Sequence, residues 1–480
     1  MNQSSVRIGL VPTHRWRLSP WCRKMLDDSL KALKGIEGME LVIPQPSPDD
    51  TTINAAKGQI PHGSVVNLDQ AEAMAEYFAS QKIDGLIIAA LDFGDERSAA
   101  KVAARLRVPV LLYATKEPPA SADASLARLS DSYCGNLALA AALVRRKIAF
   151  HFAGLFFPAE AALRQEVERF IGAVAVVKGL RGARIGQVGV RPPPFESVAY
   201  DELAMARKFD QNVIWTSSAD IDEAARALAD DSPEVQAVLR DLRNSVGQVT
   251  VGEDYLLKAA KMELALGAFW DRSRLSAMAV QCWPQKSGIA RCAVMGRLTQ
   301  RAMFAACETD VLGALSMLIS HRASLGRTVP HLIDWTIQHR EDPNRLLAWH
   351  CGNAPPCLAR DRRETALRTR SNMTGTQAVQ KADGNTGLFQ FQLKAGPVTL
   401  CRLAEYDGQW KMLIAAGRIV PSDEVLAGTW SWVEVRDHAR LYRTLVEEGF
   451  IHHASMIHGD QIEALKWACK FLDITPVVVV

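Results

Sequence analysis

Two stretches of this chain combine side chains that could bind a metal ion or move a proton. The first is AACETDVLGAL, residues 305–315. A short apolar run ends there in Glu308-Thr309-Asp310, and helical periodicity follows. Glu308 and Asp310 are two residues apart, so on a persisting strand they project to one side. Carboxylates at a strand-to-helix turn stand where a parallel sheet opens to ligand. The alternative is that Asp310 only caps the helix. The second stretch is GFIHHASMIHGD, with His452, His453 and His458 within seven residues. Imidazole with carboxylate suits manganese, iron or zinc. The alternative is a partly exposed His-rich turn that holds no metal. The spacing is not that of a zincin, because His-Glu-x-x-His is absent.

Weaker signals accompany these. In WHCGNAPP, residues 349–356, a strand ends at His350-Cys351 before a Gly-Asn turn. His350 is a ligand, a substrate contact or a buried core histidine. QCWPQ, residues 281–285, brings Trp283 and Gln285 to the end of another strand. Cys134 in DSYCGN reads as a small buried thiol at a turn rather than a nucleophile. Gly-x-Gly-x-x-Gly, a Walker sequence and Gly-x-Ser-x-Gly are all missing.

The elements that must position these groups follow from periodicity. Apolar runs at 6–11, 39–43, 85–90 and 108–113 alternate with helical periods at 21–33, 71–80 and 97–107. Strand and helix in alternation imply a parallel sheet covered on both faces. Its loops carry Arg15, Arg17, Asp92, Glu96, Lys116 and Glu117. A second α/β block starts near Arg181, with strands at 184–190, 214–216, 276–281 and 303–306 and helices at 221–228, 255–269 and 311–319. From about Arg327 the pattern changes to alternating runs at 331–337, 346–351, 388–393, 398–403, 410–419 and 429–435. That argues an antiparallel sheet or barrel. A helix at 460–472 and an apolar tail at 475–480 close the chain, and the polar segment 360–383 reads as a long surface loop. Trp430 and Trp432 share a face of one strand, for barrel packing or for a sugar ring.

Bulk properties narrow the function. The 480 residues carry 56 basic and 53 acidic side chains, a net charge of +3, which argues against nucleic-acid binding. Nine cysteines, an odd number without Cys-x-x-Cys spacing, read as reduced thiols. There is no apolar signal core at the N-terminus and no uninterrupted apolar run of about 18 residues. A cytoplasmic protein with no membrane partner is expected.

Taken in order, DSYCGNLALAAAL (131–143), RIGQVGVRPPPFESVAYDE (184–202), QCWPQ (281–285), CETDVLGAL (307–315) and WHCGNAPP (349–356) resemble the L-fucose isomerase-like family, as does FGDERSAAKVAARLRVPVLLY (93–113). The resemblance covers nearly the whole chain and is closest to shorter, divergent members. It implies two α/β domains, at 1–160 and 161–302, and a C-terminal domain at 303–480 built on an antiparallel β-barrel. It also implies aldose–ketose isomerisation through an enediol with a divalent cation, typically Mn²⁺. A homotrimer or homohexamer is expected, with a neighbour's N-terminal domain over the site.

By that resemblance the metal ligands are Asp310, His453 and the residue at the position of a family Glu. Here that residue is Gln285, and the next is Lys286. Asp310, Glu308 and Gln285 form the expected catalytic set, and Arg15, Arg17, Trp283, His350 and His452 the substrate contacts. Glutamine is neutral and cannot serve as the base. Three outcomes follow: Glu308, Glu196 or Glu202 supplies the missing acid; the reaction is a related epimerisation, decarboxylation or carbon–carbon cleavage; or the protein binds a sugar without turning it over. Arg15, Arg17 and Arg191 permit an acidic sugar, a phosphate or sulfonate.

Overall fold

The computed structural model describes residues 5–44, 63–118, 128–282, 289–369 and 387–480. The chain forms two compact units. One is Gln3–Lys178 with Lys470–Leu472, and the other is Gly179–Cys469 with Asp473–Val480.

The first unit holds β1 (Val6–Thr13), α1 (Pro20–Leu33), β2 (Met39–Val42), α2 (Leu68–Ser80), β3 (Gly85–Ala90), α3 (Glu96–Leu106), β4 (Val110–Thr115), α4 (Ser132–Arg145), β5 (Phe150–Phe156) and most of α5 (Ala161–Leu180). The strands form one parallel sheet in the order β2-β1-β3-β4-β5. Every residue of β3 and β4 is buried, which is why both read as unbroken apolar runs. Cys134 lies on α4 and is exposed, so the buried-turn expectation fails there.

The second unit opens with a smaller parallel sheet. Its elements are β6 (Arg184–Val188), α6 (Glu202–Phe209), β7 (Asn212–Thr216), α7 (Ser218–Ala227), α8 (Pro233–Asn244), β8 (Gln248–Val249), α9 (Glu253–Ser273), β9 (Ala277–Val280), α10 (Cys292–Gln300) and β10 (Ala305–Ala306). The order is β10-β9-β6-β7, with β8 joining the next sheet. Then comes α11 (Val311–Ala323), apolar around its circumference and buried except for Arg322. Its hydroxyls are absorbed by the barrel: Leu403 N–H donates to Ser316 Oγ at 2.9 Å, and Ser320 Oγ meets Ser455 Oγ at 2.8 Å.

The remaining elements are β11 (His331–Gln338), β12 (Arg345–His350), β13 (Ala366–Thr369), β14 (Gly387–Gln392), β15 (Gly396–Tyr406), β16 (Gln409–Val420), β17 (Thr429–Glu434), α12 (His438–Glu447), β18 (His453–His458), α13 (Ile462–Leu472) and β19 (Thr475–Val479). Six of them close a ring. The antiparallel order runs β16-β15-β18-β11-β12-β17, and β17 pairs back onto β16 through Arg418–Glu434, Ile419–Val433 and Val420–Trp432. Two α/β domains with parallel sheets and a closed six-stranded barrel are therefore the fold, as expected from the alternation of patterns.

Two readings change, and one open choice is decided. The segment expected to be loop at 360–383 contains β13, which pairs with β14, while 370–386 lies outside the described residues. The His-rich segment is not a turn but the strand β18. Trp430 and Trp432 are buried beside Leu347, so that pair packs the barrel. Among the described residues no helix is long and apolar enough to cross a membrane.

Candidate metal and sugar site

The site lies where the small parallel sheet meets the barrel. Its first part is the turn after β10. Glu308 and Thr309 both adopt left-handed backbone, φ +59° and +57°, which costs a side-chain-bearing residue about 1 kcal/mol or more each. The turn is pinned. Thr309 N–H donates to Val280 O at 3.3 Å, and Thr309 Oγ1 donates to Val190 O at 3.0 Å. These bonds anchor it to the carboxyl ends of β9 and β6, the edge where α/β sheets open to ligand.

Asp310 follows as the N-cap of α11 and accepts from Gly313 N–H at 2.8 Å. Arg402, on β15, donates to both carboxylate oxygens at 2.5 and 3.0 Å. His453 Nδ1 lies 2.8 Å from Oδ2. A Cβ at position 313 would strike this carboxylate and crowd Arg402, so the glycine in ETDVLGAL makes room for the pair. Burial pushes the Asp310 carboxyl up, but Arg402 and His453 outweigh it and hold it well below the usual carboxylate range. Asp310 is 0% exposed, and each oxygen already accepts two hydrogen bonds. Asp310, expected from the sequence as a metal ligand, lies against the Nδ1 side of His453.

The other side of His453 is different. Its Nε2 lies 3.1 Å from Glu308 Oε2 and 3.5 Å from Asp334 Oδ1, and His350 Nε2 lies 3.9 Å from the same Asp334 oxygen. Cross-strand register builds this, because Asp334 on β11 stands directly opposite His453 on β18. His453 Nε2, His350 Nε2 and Asp334 Oδ1 are all buried, and among the described residues none makes a well-aligned hydrogen bond, His453 Nε2 meeting Glu308 as an ion-pair contact. Buried polar atoms rarely stay unsatisfied, so three facing one another mark a missing partner. Among the described residues four metal-capable triads arise here: Glu308–His452–His453, Asp334–His350–His453, and two that reach the neighbouring thiols, Cys282–Cys307–Glu308 and Cys307–His350–Cys351.

Protonation separates the two buried histidines. A carboxylate only accepts, so His453 Nδ1–H donates to Asp310, and Nε2, facing Glu308 and Asp334, carries a proton toward them unless a cation takes its place. Cys351 N–H donates to His350 Nδ1 at 2.9 Å, which leaves the His350 proton on Nε2. With Nδ1 held by Asp310, His453 Nε2 is the nitrogen able to exchange its proton for a cation, and His350 Nε2–H is a donor. Burial pushes both imidazoles down, yet the acids prevail. Asp310 and Glu308 raise His453 to about 10, and Asp334 and Cys351 raise His350 to about 9. Burial raises Glu308, but the neighbouring imidazoles of His452 and His453 and the charge of His350 hold it well below the usual carboxylate range. The acids thus demand positive charge, which protons or a dication can supply.

His452 is the outer member. Its Nε2 is 3.8 Å from Glu308 Oε2, its ring meets Phe195 edge-on at 5.4 Å, and its side chain is 39% exposed. Trp283 and Gln285 lie outside the described residues. Arg15 and Arg17 belong to the first unit, where Arg15 pairs with Asp131 and lies 3.6 Å from Asp92, and Arg17 is exposed. Sequence reasoning missed Asp334. A single acid inside HLIDWTIQ looks like an outward-facing strand residue, and only its pairing with His453 reveals it.

The chain is similar to known sugar isomerases. The family described as fucose/sulfoquinovose isomerase, N-terminal domain, matches residues 45–181, and L-fucose isomerase, C-terminal domain, matches residues 348–479. Together they span more than half of the chain. A sulfoquinovose isomerase of Alkalicoccus urumqiensis is 28% identical over 392 residues, covering 80% of this chain and 83% of its own. That of Priestia aryabhattai is 26% identical over 415 residues, with coverage of 84% and 87%. That of Clostridium sp. (strain MSTE9) is 25% identical over 390 residues, with coverage of 78% and 81%. Fold and relatives together define a sugar isomerase of the aldose–ketose class. The chain belongs to the L-fucose isomerase-like family.

Proposed function

We propose that this chain isomerises a sulfonated aldose to its ketose, with a divalent cation, Mn²⁺ by the family expectation, held by Glu308, Asp334 and His453. The observation that carries this reading is the convergence of His453 Nε2 and Asp334 Oδ1, both without a well-aligned hydrogen bond among the described residues, beside the Glu308 carboxylate. Two carboxylates and one imidazole suit a hard-to-borderline cation. Asp310 fixes the His453 ring in the ligating tautomer. When bound, the cation supplies electrophilic polarisation of the sugar carbonyl.

The chain's own residues supply the rest. An enediol path needs a base that takes the proton from one carbon and returns it to its neighbour. Glu308 is held ionised and partly open, its side chain 17% exposed, and is the base. His350 Nε2–H is the donor to a sugar oxygen, and His452 with Phe195 forms the outer wall. Two acids, Glu308 and Asp334, therefore serve the reaction without one at position 285.

The sulfonate follows from the relatives, whose printed names specify sulfoquinovose. Arg191 is exposed and adjoins Val190, which anchors Thr309, so a guanidinium stands on the loop that holds the base. Guanidinium suits an anionic tetrahedral group. The same reading extends to a cytoplasmic homo-oligomer, a trimer or hexamer, which light scattering would size.

The test is a panel of aldoses with and without a C6 sulfonate, incubated in D₂O with Mn²⁺-loaded and chelator-stripped protein. Ketose formation with deuterium at its C1, and deuterium at C2 of the recovered aldose, are expected with the sulfonated sugar and loaded protein alone. Bound Mn²⁺ without exchange on any sugar sinks the isomerase mechanism. Equal turnover of unsulfonated sugars sinks the substrate assignment.

A further inference from the structure

Four cysteines from four separate elements meet beside this site. Cys282 follows β9, Cys292 opens α10, Cys307 follows β10 and Cys351 follows β12. The Cys282 and Cys307 sulfurs are 2.8 Å apart, those of Cys292 and Cys351 are 3.6 Å apart, and Cys307 also contacts Cys292 and Cys351. All nine cysteines of the chain are reduced. Cys307 is the residue before Glu308, and it is fully buried, whereas Cys282 is partly exposed.

The two distances mean different things. Sulfurs bound to one tetrahedral zinc, at Zn–S of about 2.3 Å, stand about 3.8 Å apart. The 2.8 Å contact is already far inside that spacing, and about 0.8 Å of movement brings it to a covalent S–S length. The Cys292–Cys351 pair, at 3.6 Å, is a non-bonded contact close to the zinc spacing, so the disulfide argument rests on Cys282 and Cys307 alone.

We propose that Cys282 and Cys307 form a reversible disulfide on exposure to a hydroperoxide, and that this modification disables the isomerase through Glu308. Its inhibitory half rests on the reading of Glu308 given above. In the first step the Cys282 sulfur attacks the peroxide oxygen, the O–O bond breaks, and the alcohol or water leaves with a proton. Cys282 is now a sulfenic acid. In the second step the Cys307 sulfur attacks the Cys282 sulfur, the S–O bond breaks, and water leaves with the Cys307 proton. Two thiols have lost two electrons to one peroxide.

The consequence is geometric. Thr309 is tied to Val280 and Val190, and Asp310 to Arg402, so a shift of Cys307 falls on Glu308, the residue between. A misplacement of about 1 Å at reacting groups costs about 10²-fold in rate.

The experiment treats the full-length, Mn²⁺-loaded protein with hydrogen peroxide, alkylates the remaining thiols and maps peptides by mass spectrometry. Alkylatable cysteines should fall from nine to seven, with a Cys282–Cys307 cross-linked peptide. Turnover should fall by about 10–100-fold, Mn²⁺ affinity should weaken, and dithiothreitol should restore both. Cys282→Ser should keep full turnover and resist peroxide; Cys307→Ser is the second variant and should give no cross-link. If no sugar is turned over before oxidation, the isomerase reading has failed, and the cross-link and Mn²⁺ affinity still decide this proposal. Absence of the cross-linked peptide overturns it, as does peroxide inactivation that persists in Cys282→Ser. Thiols protected by a tightly bound zinc ion, released by a mercurial, also overturn it.

Discussion

The two units of this chain both gather carboxylates near the strand ends of a parallel sheet, the second with Asp334 added from the barrel, and they treat that charge in opposite ways. In the first unit the acids are paired off. Asp92 accepts from the backbone N–H of Phe93 and Asp131 at 2.8 and 2.7 Å, Arg15 pairs with Asp131, Lys116 meets Glu160 at 2.8 Å, and Glu117 accepts from Leu129 and Ser130. In the second unit Asp310 is saturated by Arg402, but Glu308 and Asp334 face two imidazoles across three buried atoms that make no well-aligned hydrogen bond among the described residues. Satisfied charge holds loops in place. Convergent, unsatisfied charge is where an added ligand gains free energy.

The largest effect expected from this contrast is at Asp334. Asp334→Asn should lower turnover by about 10²–10⁴-fold and remove bound Mn²⁺ in elemental analysis, with the fold intact by circular dichroism. A variant that retains its metal would break the comparison. Asp310→Asn should behave differently, because it strands Arg402 without a counter-charge. Denaturant titration should show a loss of about 3–5 kcal/mol. Mn²⁺ affinity should weaken by about 10–100-fold rather than vanish. Complete loss of metal with little destabilisation would instead return Asp310 to the ligand set.

A third expectation concerns charge that must stay absent. Burial, helped by Arg322, pulls His321 down to about 4 against the Thr328 carbonyl, from an ordinary value of 6.5. The folded pKa is depressed, so stability is full above about pH 6.5 and falls as the pH drops toward 4. The loss approaches about 3 kcal/mol at the acid end. His321→Gln should flatten that part of the stability–pH curve; an unchanged slope would place the acid lability elsewhere. The smallest effect is expected at Arg15, whose side chain is 40% exposed. Arg15→Gln should cost under about 1 kcal/mol and leave KM unchanged. A raised KM would extend the sugar site to the first unit's edge.

Much of this was legible in the residues, and what was not has physical reasons. The buried strands of the first sheet announce themselves because both faces are apolar, as in GLIIAA. The barrel shows as alternation. The strand β18 does not, because histidines at both its ends mask a buried run whose partners, β11 and β15, are distant in sequence. Asp310 stands out beside Glu308, but its occupied lone pairs depend on Arg402, 92 residues further on. Asp334 needs the register of β11 against β18. The cysteine cluster has no spacing signature, since its four members come from four elements.

The closed ring also sets an order of assembly. Glu308 and Asp334 emerge from the ribosome well before His453, and β18 must slot between two strands made earlier. A nascent chain ending before β18 lacks both the strand that completes the ring and the imidazole that faces the two acids. Such a chain would expose unpaired edges of β11 and β15 to other molecules. The site and the protection of those edges therefore arrive in the same late step of synthesis.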